Sequence, residues 1–131
     1  MAIADVTKGL DHIGIPTTDM DKTKKFYTDL GFKLAFETVN GGLPVCFLEK
    51  DGLMIETYVV EGKSAMVNGA VDHFAISCTD IEKCFAEAKK LPYPMLKDEI
   101  TFLPFWEHGV KFFHLIGPNG EAVEFLEVLK G

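Results

Sequence analysis

The chain has 131 residues, 47% of them hydrophobic, with 20 acidic side chains against 13 basic ones and a formal charge of -7 at pH 7. That length suits one domain, or two small modules sharing a core, and argues against two independently stable domains. The acidic balance, with no block of Lys to follow a phosphate backbone, argues against nucleic acid, and no run approaches the roughly 18 apolar residues of a membrane span.

The N-terminal stretch "MAIADVTKG" carries Asp5 and Lys8 and lacks an apolar h-region, so a soluble, cytoplasmic protein is expected. "DHIGIP" (11 to 16) then alternates like a strand. "TTD" at 17 to 19 offers cap residues for a helix whose Met20, Thr23, Tyr27 and Leu30 share one face, and Gly31 closes it in a left-handed conformation. Three strand-like runs follow, "FKLAFETV", "LPVCFLEK" and "LMIETYVV", with Asp51-Gly52 as a tight hairpin turn before the last. The Gly-rich, polar stretch "VEGKSAMVNGA" (60 to 70) reads as a connector.

The plan then repeats. "LDHIGIPTTDMDK" at 10 to 22 returns as "VDHFAISCTDIEK" at 71 to 83, giving a second strand and a second helix. Thr79 or Asp80 caps that helix, Ile81, Cys84, Phe85, Ala88 and Leu91 fall at helical spacing, and Pro92 and Pro94 stop it. The runs "MLKDEITF", "VKFFHLI" and "EAVEFLEV" complete the copy, with Asn119-Gly120 as the turn before the last. The predicted class is α+β, two tandem βαβββ modules at about 8–61 and 69–129, each too poor in apolar surface to stand alone and so expected to pack as a pseudo-symmetric pair.

Period-two geometry puts His12 on one face of its strand with Gly14 and Pro16, and His73 with Ala75 and Ser77, while Ile13, Ile15, Phe74 and Ile76 face the other way. Each His thus sits beside small neighbours, a pattern that leaves room. Each last strand carries one acid at the same distance from its turn, Glu56 and Glu124, both among largely apolar neighbours where a carboxylate needs a partner. A His and a Glu from each copy give two nitrogens and two oxygens for a divalent metal. His108 and His114 have no counterparts in the first copy, where Cys46 stands at the position matching His114, so neither joins the predicted ligands and each is kept only as a lesser candidate for touching substrate. Glu127 alternates to the face opposite Glu124 and is expected to be solvated. Cys46, Cys78 and Cys84 form no C-x-x-C and are expected as reduced, partly buried thiols. All 13 basic residues are Lys, so the planar fork that grips carboxylates and phosphates in pairs is missing. The aromatic stretch "ITFLPFWEHG" (100 to 109) suits either a loop over a site or a partly buried connector.

Through "DHIGIPTTDMDKTKKFYTDLGF", "IET" around Glu56, "DHFAIS" and "GPNGEAVEFLE", the chain resembles the vicinal oxygen chelate superfamily of glyoxalases, bleomycin-resistance proteins and extradiol dioxygenases. The resemblance implies a cupped, pseudo-two-fold eight-stranded sheet with helices outside, wrapped around a metal, and a homodimer. Its ligand set would be His12, Glu56, His73 and Glu124, like that of bacterial glyoxalase I enzymes (lactoylglutathione lyases). Extradiol and fosfomycin-modifying relatives use a His-His-Glu set, and epimerases usually carry Gln in place of Glu56. By the same resemblance the ion would be nickel or cobalt, with zinc, manganese and iron also compatible, and Glu124, with Glu56 opposite, would move the proton. The small-molecule substrate expected is a methylglyoxal hemithioacetal, the reaction detoxifying a 2-oxoaldehyde. Pro16 and Val60 stand where glutathione-using members have Arg and Asn, which opens the alternatives of an epimerase or lyase for another α-hydroxycarbonyl, or a non-catalytic drug- or metabolite-binding protein.

Overall fold

The computed structural model describes residues 3–5, 10–62, 66, 69, 71 and 73–131. Lys8, most of the connector at 60 to 70, and Asp72 of the second repeat lie outside the described residues. The chain divides into two units, Met1–Gly62 and Lys63–Gly131. A 3-10 turn at Ile3–Asp5 precedes the first module.

In the first unit β1 (Ile13–Thr17) leads into α1 (Met20–Asp29), then β2 (Lys33–Asn40), β3 (Leu43–Lys50) and β4 (Leu53–Val59). The last three form antiparallel hairpins, and the helical crossover returns β1 parallel to β4, giving the sheet order β1-β4-β3-β2. Asp51 and Gly52 both have positive φ (49° and 88°), as the expected tight turn requires, and Gly41-Gly42 makes the same kind of turn between β2 and β3. Asp19 caps α1 by accepting the Lys22 amide at 3.1 Å, and the buried Thr17 hydroxyl bonds both Thr23 and the Asp19 amide. At the other end Gly31 (φ 98°) lets the amide of buried Phe32 return to the Tyr27 carbonyl, a Schellman closure. The buried face of α1 is Thr23, Phe26 and Tyr27; Met20 and Leu30, expected with them, are only half-buried. Phe26 belongs to the stripe as the i+3 neighbour of Thr23 and packs edge-on against Tyr27 at 4.8 Å.

The second unit repeats the order with β5 (His73–Ser77), α2 (Ile81–Lys89), β6 (Thr101–Leu103), β7 (Val110–Ile116) and β8 (Ala122–Val128), in a sheet β5-β8-β7-β6. Asp80, not Thr79, is the cap of α2. The eight strands are therefore shared between two four-stranded sheets, one per module. Two details differ from expectation. The run 95 to 102 is a strand only at Thr101–Leu103, with one isolated bridge from Met95 to Leu115, because residues 96 to 99 are exposed and polar-rich and offer no alternating face to bury. The Asn119-Gly120 loop is longer than a two-residue turn: only Gly120 has positive φ (82°), its amide returns to the Gly117 carbonyl, and Gly117 in turn donates to Glu121, the bulged form of hairpin.

The core follows strand alternation only in part, since Val45 and Cys46 are both buried on β3 and Ala122–Phe125 are all buried on β8. Ile15, Val45, Leu48 and Ile55 fill the first unit beside Phe26, Tyr27 and Phe32, and Phe113, stacked on Phe125 at 5.1 Å, anchors the second with Val110, Leu115 and Val123. No helix among the described residues is long and apolar enough to cross a membrane.

Candidate metal centre

The parallel pairing of β1 with β4 sets Gly14 opposite Glu56, and that of β5 with β8 sets Ala75 opposite Glu124. Each His lies two residues before the partner of its Glu, so the same ladder delivers the same pair twice. His12 Nε2 stands 3.2 Å from Glu56 Oε1, and His73 Nε2 stands 3.2 Å from Glu124 Oε1. In the first unit Asp11 Oδ2 lies 2.7 Å from His12 Nδ1, which holds the ring with Nε2 free for Glu56 or an ion. That contact, and then the charge of Glu56, raises the His12 pKa above its ordinary value.

The two acids differ in setting. Glu56 keeps 28% of its side chain exposed, whereas Glu124 keeps 9% and is enclosed by a second imidazole, His114 Nε2, at 3.0 Å from the same Oε1. His114 is itself 15% exposed and lies opposite Glu124 on the β7–β8 ladder. His73, His114 and Glu124 each offer one ligand atom, and those atoms all lie within 4.8 Å of one another. Donors about 2.1 Å from one ion and at right angles are about 3.0 Å apart, so the separations of 3.0 and 3.2 Å fit neighbouring positions around a divalent cation. Imidazole and carboxylate donors suit manganese, iron, cobalt, nickel or zinc.

His114, expected at most to touch substrate, stands beside Glu124 instead, and the residue matched to it in the first copy is Phe47 rather than Cys46. The β3–β4 ladder pairs Cys46 with Thr57 and Phe47 with Glu56, so Phe47 occupies the place of His114. Counting along the chain misleads because the bulged loop after β7 holds one more residue on its hairpin than the two-residue turn after β3, which shifts the register. The ring contacts agree: Phe47 meets His12 edge-on at 5.8 Å, and His114 meets His73 edge-on at 5.7 Å.

His108 does not join the cluster; it lines an open cavity of about 510 Å³ with Trp106 and Lys130. Within the aromatic stretch Phe102, Phe105 and Trp106 are exposed. Glu127 is not merely solvated, since its Oε1 accepts the amide of Ile81 at 2.9 Å and holds the start of α2 to β8. The three cysteines are free thiols, Cys46 buried, and Cys78 and Cys84 with sulfurs 3.7 Å apart.

The chain matches the Glyoxalase/Bleomycin resistance protein/Dioxygenase superfamily over residues 9–125. It is 33% identical over 128 residues to the uncharacterised protein YwbC of Bacillus subtilis, an alignment covering 93% of this chain and 99% of that one. Its fold is similar to the crystal structure of a glyoxalase family protein from Enterococcus faecalis (TM-score 0.78, 20% identity, 93% of this chain and 99% of that one). It is similar also to the fosfomycin resistance protein FosX from Listeria monocytogenes, crystallised with Mn(II) and sulfate (TM-score 0.73, 16% identity, 94% of each chain). Repeated βαβββ modules, a His just before β1 and at the start of β5 paired with a Glu on the last strand of its module, and the match over nearly the whole length agree: the chain belongs to the Glyoxalase/Bleomycin resistance protein/Dioxygenase superfamily.

Proposed function

We propose that this protein is a divalent-metal-dependent lyase of glyoxalase I type, converting a 2-oxoaldehyde–thiol hemithioacetal into a 2-hydroxyacyl thioester through an enediolate. The observation that carries this reading is the repeated His–Glu pair at 3.2 Å, one in each module, with its second carboxylate buried. His12, Glu56, His73 and Glu124 are the proposed ligands. Nickel or cobalt is favoured by the resemblance, and the Mn(II) bound by FosX adds manganese to the ions worth testing. Once bound, such an ion supplies Lewis-acid stabilisation of negative charge on two adjacent substrate oxygens.

The chain's own part is proton transfer. Glu124 removes the proton from the carbon bearing the sulfur and the hydroxyl and returns it to the neighbouring carbonyl carbon, while the hydroxyl proton passes to the former carbonyl oxygen, so the reaction is an isomerisation with no net gain or loss of atoms. Burial of Glu124 keeps bulk water from competing for that proton, and His73 and His114 fix its Oε1. Glu56, more exposed and held by one imidazole, is its partner carboxylate.

Pro16 and Val60 favour a second reading, in which the same proton transfer serves another thiol or another small α-hydroxycarbonyl. Pro16 has no amide hydrogen, and the Val60 amide is already spent on the Thr17 carbonyl at 2.9 Å, so neither position offers a free donor to a tripeptide. The protein is proposed to act in the cytoplasm and as a homodimer; β2, exposed along its whole length, has no strand on its outer side among the described residues and is the kind of edge a second copy covers.

The test is to strip the protein of metal, reconstitute it with nickel, cobalt, zinc and manganese in turn, and follow isomerisation of the methylglyoxal hemithioacetals of glutathione and of smaller thiols. Turnover restored by one ion supports the lyase, and the thiol preference separates the two enzyme readings. Metal bound without turnover on any thiol rejects the glyoxalase reaction, and failure to bind metal at all leaves the non-catalytic binder.

A further inference from the structure

We infer that the second module holds a divalent ion with three donors of its own, and that His114 is the third. This rests on the metal-dependent reading above but goes beyond it, because His114 lies outside the repeated ligand pattern. His73 Nε2 and His114 Nε2 approach one oxygen, Glu124 Oε1, from two different strands, at 3.2 and 3.0 Å. The three atoms lie together within 4.8 Å, the spacing of donors around one small cation.

The first module supplies the internal control. At the place of His114 it carries Phe47, opposite Glu56 on the ladder, and the two rings pack in nearly the same way against the repeated His of their module: 5.8 Å and 81° for Phe47 on His12, 5.7 Å and 90° for His114 on His73. A phenyl ring therefore serves the packing. What imidazole adds is a nitrogen aimed at Glu124, beside a carboxylate withdrawn from water. His114 is also the less exposed of the two imidazoles, 15% against 41% for His73, so its nitrogen competes with little water for the ion. Two imidazoles and one carboxylate on one side of a cation leave its remaining positions open to further donors or substrate.

Cobalt(II) binding to the full chain tests this by titration calorimetry and by the visible absorption of the bound ion, which reports its donor set without turnover. The variants are His12→Ala/Glu56→Ala, which removes the donors of the first module, and the same protein with His114→Phe or His114→Gln. Phe copies the solution of the first module and should fold, while Gln can still hydrogen-bond Glu124 but is a poor ligand. The expected result is that the double variant still binds one equivalent. Adding either His114 change should alter the spectrum and weaken binding by more than the 10- to 100-fold, on the order usual for losing an outer-shell partner. Affinity and spectrum retained by His114→Gln would overturn the assignment and make His114 only a hydrogen-bond support of Glu124. Wild-type binding that vanishes in the His12→Ala/Glu56→Ala protein would also overturn it while leaving the metal-dependent reading intact, and a wild type that binds no ion would remove both.

Discussion

Replacing Glu124 by Gln keeps the volume of the side chain and an oxygen that can still accept from His73 or His114, so the second unit should fold, but it removes the charge and the basicity that proton transfer needs. A positioned general base is worth about 10² to 10⁴ in rate. At about 1.36 kcal/mol per decade that is about 2.7 to 5.4 kcal/mol of barrier, more than a hydrogen bond retained by the amide could restore. Loss of an anionic donor should also weaken metal binding, so turnover has to be read at metal saturation established separately for the variant, on whichever hemithioacetal the wild type prefers. Glu56→Gln is the comparison: its carboxylate is more exposed and meets a single imidazole, and the loss should be smaller. A Glu124→Gln protein that is metal-saturated, folded, and within about tenfold of wild type would refute the base assignment. A larger fall for Glu56→Gln than for Glu124→Gln would transfer that role to Glu56.

Glu127→Ala removes the acceptor for the Ile81 amide at the start of α2 and should cost about 1 to 2 kcal/mol in denaturant unfolding; a change below about 0.5 kcal/mol would mean that Glu127 is merely solvated. Thr57→Val should leave stability unchanged or raise it by about 1 kcal/mol, because the buried Thr57 hydroxyl has no hydrogen-bond partner among the described residues, and a clear fall in Tm would show that it has one in solution. Iodoacetamide should label Cys84 first and at the lowest pH: the Cys78 thiol hydrogen-bonds its sulfur and holds its pKa below the ordinary thiol value, so thiolate is present earlier as pH rises. The same contact, and then burial, push Cys78 up, and burial pushes Cys46 up, so peptide mapping that finds either of these labelled first would contradict the order.

Repetition made the module plan and the His–Glu pairs legible, since a strand His or a strand Glu alone says little, whereas the two recurring in register restrict what a ladder can do with them. Strand alternation was sufficient for β3 and β7, whose predicted bounds match the structure, and for the inward Ile15, Leu48 and Ile55. It failed where an edge strand buries nothing, at 95 to 100, and where a residue on the outer face has a specific partner, as Glu127 has in the helix that packs on that face. His114 was hidden by a different cause. It departs from the repeat, so a search for recurrence discards it, and the bulged turn after β7 displaces its true counterpart from Cys46 to Phe47. The glycine that makes the bulge is visible in the sequence, but the register it imposes depends on where both strands begin pairing, which only the ladder defines. Two modules built on one plan thus differ at the position that faces the acid, with a phenyl ring in one and a nitrogen donor in the other. The donors of the second module should hold an ion more tightly than those of the first, because Glu124 is the more buried acid and has two imidazoles converging on one of its oxygens.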